Sequence, residues 1–396
     1  MKVDFMRFVD RYVGVPICFI LSIFDALFRV KTEKPKKILF IELSEMGSTI
    51  LAYSAMKKAK EMFNAELYFM IFKENEQSVM LLDIIPKKNI ITISSKSLFA
   101  FAFGTLKAIF KVRKFKIDTV IDLELFSRFT AILSYFSGAG NRVGLYSYNM
   151  EGLYRGTFQT HKVEYNPYYH ISQMFMALVY SLKEDVDETP LVKKKVSMSE
   201  IKPYRIISNI ADKKRIIDKL RRINPNIKGN IVLLNPNASQ LLPIRKWPNK
   251  NYQKLARELL DKTNAYIVIV GVESEKPDAV RICNYVNNPR CIDFTGKTTL
   301  KELVDLYNIS RVIVSNDSGP AHFASLTGIR IVVLFGPETP NLYAPLGDNT
   351  FPIYADFACS PCVSAFNHRK TPCKISRCLD AIKVSQVFSA VKPGLR

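Results

Sequence analysis

The chain has 396 residues, 48% hydrophobic and 23% charged, a globular composition that excludes a disordered or low-complexity protein. That length exceeds what a single core usually supports, so two domains are expected. Lys plus Arg outnumber Asp plus Glu by 57 to 36, a formal charge of +21, and this surplus must face something anionic: nucleic acid, anionic lipid or phosphorylated small molecules. The basic residues are scattered, with clumps at 34–37, 193–195 and Arg221-Arg222, and no zinc-finger, RNA-recognition or helix-turn-helix pattern accompanies them, which sets nucleic acid aside.

Residues 1–35 form an apolar and amphipathic segment. Its apolar stretch, Val13 to Phe28, is broken by Pro16 and Asp25 and is too short for a bilayer span. Asp4 and Asp10 precede it and no small-residue cleavage site follows, which argues against a secretory signal. Arg7, Arg11 and Arg29 flank a Phe/Ile/Leu-rich run, the composition of an in-plane helix on an anionic membrane surface; the plain alternative is a helix packed on its own protein.

From residue 36 apolar runs alternate with helix-period segments. "KILFIEL", "AELYFMIF" and "DTVIDLE" read as strands, with helices at Ile50 to Phe63 and Leu106 to Lys116, the grammar of a parallel sheet covered on both faces. Residues 36–190 therefore make a first Rossmann-like domain, and the polar 191–228 reads as an interdomain connection ending in a basic helix. The pattern restarts over 229–380 with "NIVLLNP", "NAYIVIVG", "CIDFTG", "RVIVSND" and "RIVVLFG". Two doubly wound α/β domains imply ligands at the carboxyl ends of the strands, in a cleft between them. Residues 381–396 read as a C-terminal helix expected to return to the first domain.

The cysteines are Cys18, Cys283, Cys291 and a cluster at Cys359, Cys362, Cys373 and Cys378; the odd count without a secretory signal favours a reducing cytoplasm. The paired spacing of the cluster suits a structural zinc, a sulfur-rich loop or labile disulfides, and the sequence leaves these three open.

The most informative string is "VIVSNDSGPAHFASLTGIRIVVLFGPETP", Val312 to Pro340. A strand ends at Ser315, the chain turns through Asn316 to Gly319, and Pro320 suits a helix start. A helix N-terminus at the carboxyl edge of a sheet attracts phosphate. Gly319 permits close approach, Ser318 can donate a hydroxyl, His322 lies within reach, and Asp317 is expected to cap the helix or orient the loop. An ordinary capped helix would show the same local residues.

"SNDSGPAHFASLTG" followed by "LFGPETP" resembles the hallmark "nDsGp.H.aa..g … fGpt.p" of family-nine glycosyltransferases, inverting GT-B enzymes that include the lipopolysaccharide heptosyltransferases. The resemblance runs from about residue 36 onward. It implies a GT-B architecture, two Rossmann-like domains facing across a cleft. In "NPNASQLLPIRKWP" it places a small-residue turn at Asn237 to Ser239 and positive charge at Arg245 and Lys246, in exchanged order, against the donor diphosphate. It places Glu275 near the nucleotide ribose and the backbone of Thr295 to Thr298 near the base. No cofactor is required, the nucleotide-sugar donor is a co-substrate, and no metal is called on.

The family reaction is a single displacement at an anomeric carbon, which needs a base for the acceptor hydroxyl and positive charge for the departing diphosphate. The turn after the first strand, "IELSEMGSTILA", reads Gly-Asp in the heptosyltransferases, and that Asp is the presumed base there. Here Ser48 follows Gly47, and a serine hydroxyl cannot act as a base unaided. Glu45 is the leading replacement, Glu42 the second, with Asp122 or Glu124 behind them. On the acceptor side the resemblance points to Gly47, Ser48, Arg128 and Arg142, and Arg155, His161 and His170 among tyrosines suggest a basic, aromatic surface for an anionic glycolipid. The expectation is a cytoplasmic enzyme on the inner-membrane surface that transfers heptose or a related sugar, from ADP-heptose, to lipopolysaccharide or another glycolipid. The alternatives are a different nucleotide-sugar donor or a degenerate sugar-binding protein.

Overall fold

The computed structural model describes residues 3–28, 30–148, 153–238, 242–367 and 369–395. The chain divides into two compact units, 1–202 and 203–396. In the first, helices α1 (Val3–Tyr12) and α2 (Gly14–Leu27) precede β1 (Lys37–Ile41), α3 (Met46–Leu51), α4 (Tyr53–Phe63), β2 (Glu66–Phe72), α5 (Glu76–Met80) and β3 (Ile90–Ile93). Then come α6 (Leu98–Phe115), β4 (Thr119–Asp122), α7 (Arg128–Phe136), β5 (Asn141–Tyr146), β6 (His161–Glu164) and α8 (Ile171–Ser181). The sheet order is β3-β2-β1-β4-β5-β6, all parallel.

The second unit begins with α9 (Ile210–Ile223), β7 (Ile231–Asn235), α10 (Asn249–Lys262), β8 (Tyr266–Ile269), α11 (Lys276–Val286), β9 (Cys291–Asp293) and α12 (Leu300–Ile309). It continues through β10 (Val312–Asn316), α13 (Gly319–Ala324), β11 (Arg330–Phe335), α14 (Pro340–Tyr343), β12 (Thr350–Tyr354), α15 (Arg377–Ala381) and α16 (Val384–Val391). Its parallel sheet runs β12-β11-β10-β7-β8-β9, the same winding as the first. Each sheet reverses direction between its first and fourth strand, and loops leaving those two strands meet there, which is where open α/β sheets bind ligands.

The central strands are buried on both faces, and this explains why "KILFI", "IVLLN" and "RIVVLF" are continuous apolar runs rather than alternating ones. The second core gathers Trp247, Tyr252, Leu255 and Leu259 over Val232, Val312 and Val332. Val387 and Val391 of α16 belong to that same core, and Trp247 Nε1 donates to the Ile382 carbonyl at 3.1 Å. The C-terminal helix therefore packs on the second unit. Its apolar face matches the groove beside α10, and a buried indole N–H needs the acceptor it offers. Helix α9 likewise packs on α12, so residues from 203 onward belong to the second unit.

The N-terminal segment is two helices, and among the described residues no helix is long and apolar enough to cross a membrane. Cys18 and Leu21 bury against Ala131 of α7 and Phe158. Two ion pairs clamp the helices: Arg128 Nη1 to Asp10 Oδ2 at 3.5 Å and Arg142 Nη2 to Asp25 Oδ1 at 2.6 Å. Arg142 also donates from Nε to the Phe158 carbonyl and from Nη1 to the Ala139 carbonyl, at 2.8 and 3.2 Å. The expected basic, aromatic acceptor surface is thus corrected: Arg128, Arg142, Arg155, His161 and His170 are all buried. Arg128 and Arg142 hold α1 and α2, because a buried guanidinium requires a carboxylate and carbonyls around it. Arg29 lies outside the described residues.

Candidate functional site

In the first unit the switch point gathers carboxylates. Glu42 leaves β1 buried, and its Oε1 accepts from the Glu45 N–H at 3.1 Å. Glu45 occupies the N-cap position of α3 with extended backbone, and its Oε2 accepts from Ser48 Oγ at 3.0 Å. From β4, Glu124 Oε1 accepts the N–H groups of Leu43 and Ser44 at 2.9 and 3.2 Å, tying the two loops together. Asp122 pairs with Arg155, whose Nη1 donates to the Glu124 carbonyl at 3.1 Å. Burial pushes the Asp122 carboxyl up, opposed by Arg155; burial also raises Glu124, opposed by the Leu43 N–H and reinforced by the Asp122 charge.

Gly47 sits in the first turn of α3 and takes an ordinary helical conformation, and the chain bends before it, at Ser44. Helix α3 starts after that bend because the Glu45 carbonyl accepts from Thr49 N at 3.2 Å while Glu42 and Glu124 satisfy the N–H groups that precede it. Glu45 is half-buried, whereas Glu42 and Asp122 are enclosed.

The second unit's switch point carries donors instead. Asn316, at the end of β10, is its hub: Oδ1 accepts from Trp247 N at 2.9 Å and from the Tyr252 hydroxyl at 3.2 Å, and Nδ2 donates to the Asn237 carbonyl at 2.9 Å. Arg245 Nη1 donates to Asp317 Oδ2 at 3.1 Å, so Asp317 orients the arginine. Ser318 occupies the N-cap position of α13 without a side-chain cap, and its Oγ donates to the Asn316 carbonyl at 3.2 Å. Helix α13 has six residues, so its dipole is small and side chains must supply most of the attraction for an anion. Gly319 opens α13, and His322 is buried on it.

Two buried donors here, Asn237 Nδ2 and Arg245 Nε, have no acceptor among the described residues, and a buried unpaired donor is costly unless a ligand completes it. Glu338, in "FGPETP", is also buried with Oε1 unpaired. Its burial, then the Asp317 charge, push its carboxyl well above the usual carboxylate range, with Arg245 opposing.

Lys246 pairs with Asp278 at the start of α11, beside Glu275, whose Oε2 accepts from Val272 N at 2.9 Å. Burial raises the Glu275 carboxyl, and Lys246 opposes this. Ser239 lies outside the described residues. The sequence reading missed Asn316 and Glu338 as site residues, although both stood inside quoted motifs; Glu338 takes the place of the small "t" in "fGpt.p". Cys359, Cys362, Cys373 and Cys378 line one cavity of about 370 Å³ with Ile244 and Pro337. Among the described residues no three Cys, His, Asp or Glu side chains converge to hold a metal ion.

Residues 106–371 match the family model "Glycosyltransferase family 9 (heptosyltransferase)". Lipooligosaccharide heptosyltransferase 2 of Haemophilus influenzae is 25% identical over 179 residues, 44% of this chain and 49% of that protein. Lipopolysaccharide heptosyltransferase 2 of Escherichia coli K12 is 31% identical over 107 residues, 26% of this chain and 30% of that one. The chain thus spans about half the length, or less, of these relatives. The structure of E. coli ADP-heptose lps heptosyltransferase II superposes with TM-score 0.69 at 18% identity, covering 91% of this chain and 98% of that one. E. coli heptosyltransferase WaaC with ADP superposes with TM-score 0.62 at 14% identity, covering 90% and 99%. These likenesses show a two-domain α/β fold of the GT-B kind, and the family match covers the later half of the first unit and most of the second. The chain belongs to glycosyltransferase family 9, the heptosyltransferase family.

Proposed function

We propose that this chain is an inverting glycosyltransferase that moves heptose or a related sugar from a nucleoside-diphosphate donor, ADP-heptose in the leading reading, to lipopolysaccharide or a similar anionic glycolipid. The observation that carries the proposal is the pair of buried donors at Asn237 and Arg245 that have no acceptor among the described residues, held by Asn316 and Asp317 at the second switch point. They suit a diphosphate, whose negative charge grows as it departs. Lys246 and His322 add positive charge and a ring donor, Ser318 and Gly319 form the adjacent loop, and Glu275 serves the ribose.

Glu45 is assigned as the base. Its carboxylate receives the Ser48 hydroxyl, so it is held beside the position where the family carries an Asp. It would take the acceptor hydroxyl's proton as that oxygen attacks the anomeric carbon and the carbon–oxygen bond to the diphosphate breaks. Glu42 is the second candidate, positioned through the Glu45 N–H. The Ser48 departure favours, as a second reading, a donor sugar other than heptose. The site calls on no cofactor. Peripheral association with the cytoplasmic membrane surface through α1 and α2 completes the proposal: Phe5, Phe8, Phe19, Phe24 and Leu27 are exposed while the opposite faces are clamped to α7.

Thermal unfolding measured with a panel of nucleotide sugars and free nucleoside diphosphates tests the reading. A true donor at a hundred times its dissociation constant adds about 2.7 kcal/mol of stability. A flat response across the panel would overturn it.

A further inference from the structure

Helix α6 carries an apolar stripe that is exposed among the described residues of its unit. Ser97 caps it through Ala100 N at 3.2 Å, and its inner face packs Ala108 and Val112 into the first core with Phe101, Ile109 and Phe115 alongside. The outer face presents Phe99, Phe103, Leu106 and Phe110 at spacings of four, three and four residues, one side of a helix. These are 89%, 71%, 57% and 71% exposed, far beyond what scattered surface apolar residues require. Exposed Lys107 and Lys114 flank the stripe on one side and exposed Arg113 on the other. From Ile84 to Ile117 the chain carries no acidic residue at all, while Lys87, Lys88, Lys96, Lys107, Lys111, Arg113, Lys114 and Lys116 are all basic.

The stripe lies on the side of the sheet that bears the N-terminal helices. Met6 of α1 packs into the same apolar cluster as Phe101 of α6. The Phe101 ring meets Phe129 of α7 with centroids 4.9 Å apart, and the Phe129 N–H donates to Asp10 of α1 at 2.9 Å.

We infer that α6 is a second membrane-seated helix: Phe99, Phe103, Leu106 and Phe110 enter the headgroup and acyl boundary of an anionic bilayer while Lys107, Arg113 and Lys114 meet lipid phosphates. The inference rests on the membrane reading of α1 and α2 and extends it to a segment 70 residues downstream. The charge pattern selects the occupant. Two copies meeting through this face would set identical cations against each other with no acid between them, whereas an anionic headgroup layer neutralises the cations as the aromatic rings leave water. Long Lys and Arg stems reach headgroups while their helix axis lies deeper.

Flotation of the full chain with vesicles of phosphatidylethanolamine and phosphatidylglycerol, against phosphatidylcholine alone, tests it. The parent should float with the anionic vesicles, less so at high salt, and Phe99→Ser with Phe103→Ser and Phe110→Ser should lower partition on the order of a hundredfold. Partition of that variant within about twofold of the parent overturns the role of α6. If Phe19→Ser with Phe24→Ser abolishes flotation and the α6 variant does not, α6 alone is refuted; if the parent floats with neither vesicle, the N-terminal reading falls as well. Self-association of the lipid-free parent, lost in the α6 variant and unaccompanied by vesicle binding, likewise overturns it. A Phe103→Trp chain adds a readout independent of folding losses, because the native Trp247 is buried. Lipids brominated on their acyl chains should quench the new indole, and an unquenched signal refutes insertion.

Discussion

The two sheets share one winding order and place opposite chemistry at its reversal. At the first, Glu42, Glu45, Asp122 and Glu124 accept backbone N–H groups, a serine hydroxyl and an arginine. At the second, Asn316 and Asp317 position Asn237 and Arg245, whose Nδ2 and Nε have no acceptor among the described residues. Topology decides where loops converge; side chains decide whether the convergence suits a proton or an anion. The arginines differ in the same way. Arg142 has partners at Nε, Nη1 and Nη2, while Arg245 Nε has none among the described residues, so the first is fully engaged within its unit and the second is not.

The comparison breaks most sharply at Glu45. Glu45→Gln keeps the shape and can still accept from Ser48, but it cannot take a proton. Turnover should fall roughly 10²–10⁴-fold with donor affinity little changed, measured by steady-state transfer and donor titration. Turnover within a few-fold of the parent would move the base elsewhere, to Glu42 first.

The next effect is on acid stability, and it belongs to the first unit. Burial lowers the His161 ring to about 4 from an ordinary 6.5. The folded state keeps it neutral while the unfolded chain binds a proton, so the stability it confers is complete above about pH 6.5 and drains away as pH falls toward 4. The loss over that window is about 3 kcal/mol. Denaturant unfolding of parent and His161→Asn at pH 7, 5.5 and 4.5 checks the slope, which the variant should flatten.

The smallest shift concerns Arg245. Replacing it with Met keeps the stem and removes the guanidinium, so nucleoside diphosphate should bind roughly 1.5–3 kcal/mol more weakly by titration calorimetry. Asp317→Asn should weaken binding less, because the guanidinium survives and only its orientation loosens. Equal losses from both would mean that Arg245 serves Asp317 rather than a ligand.

Much of this was legible in the chain. Continuous apolar strands alternating with helix-period segments dictate two parallel α/β units, since only strands covered on both faces tolerate such runs. "SNDSGPAHFASLTG" located the second switch point and the family because a strand, a small-residue turn and a helix start occur there within a few residues. Arg245 was visible as a charge in a patterned loop. Its pairing with Asp317, 72 residues away, was not, because side-chain direction depends on how the loops after β7 and β10 meet.

The sequence by itself therefore determined the fold class and the family, both set by local pattern and period. The tertiary structure decided which charges are used up. Arg128 and Arg142 looked like a binding surface, yet they face Asp10 and Asp25 inside the first unit, where desolvation forces every guanidinium to find a carboxylate. Ser48 looked like a lost base, and packing set it against Glu45. The aromatic stripe of α6 was present in the letters, but only the fold showed that it stays exposed among the described residues of its unit.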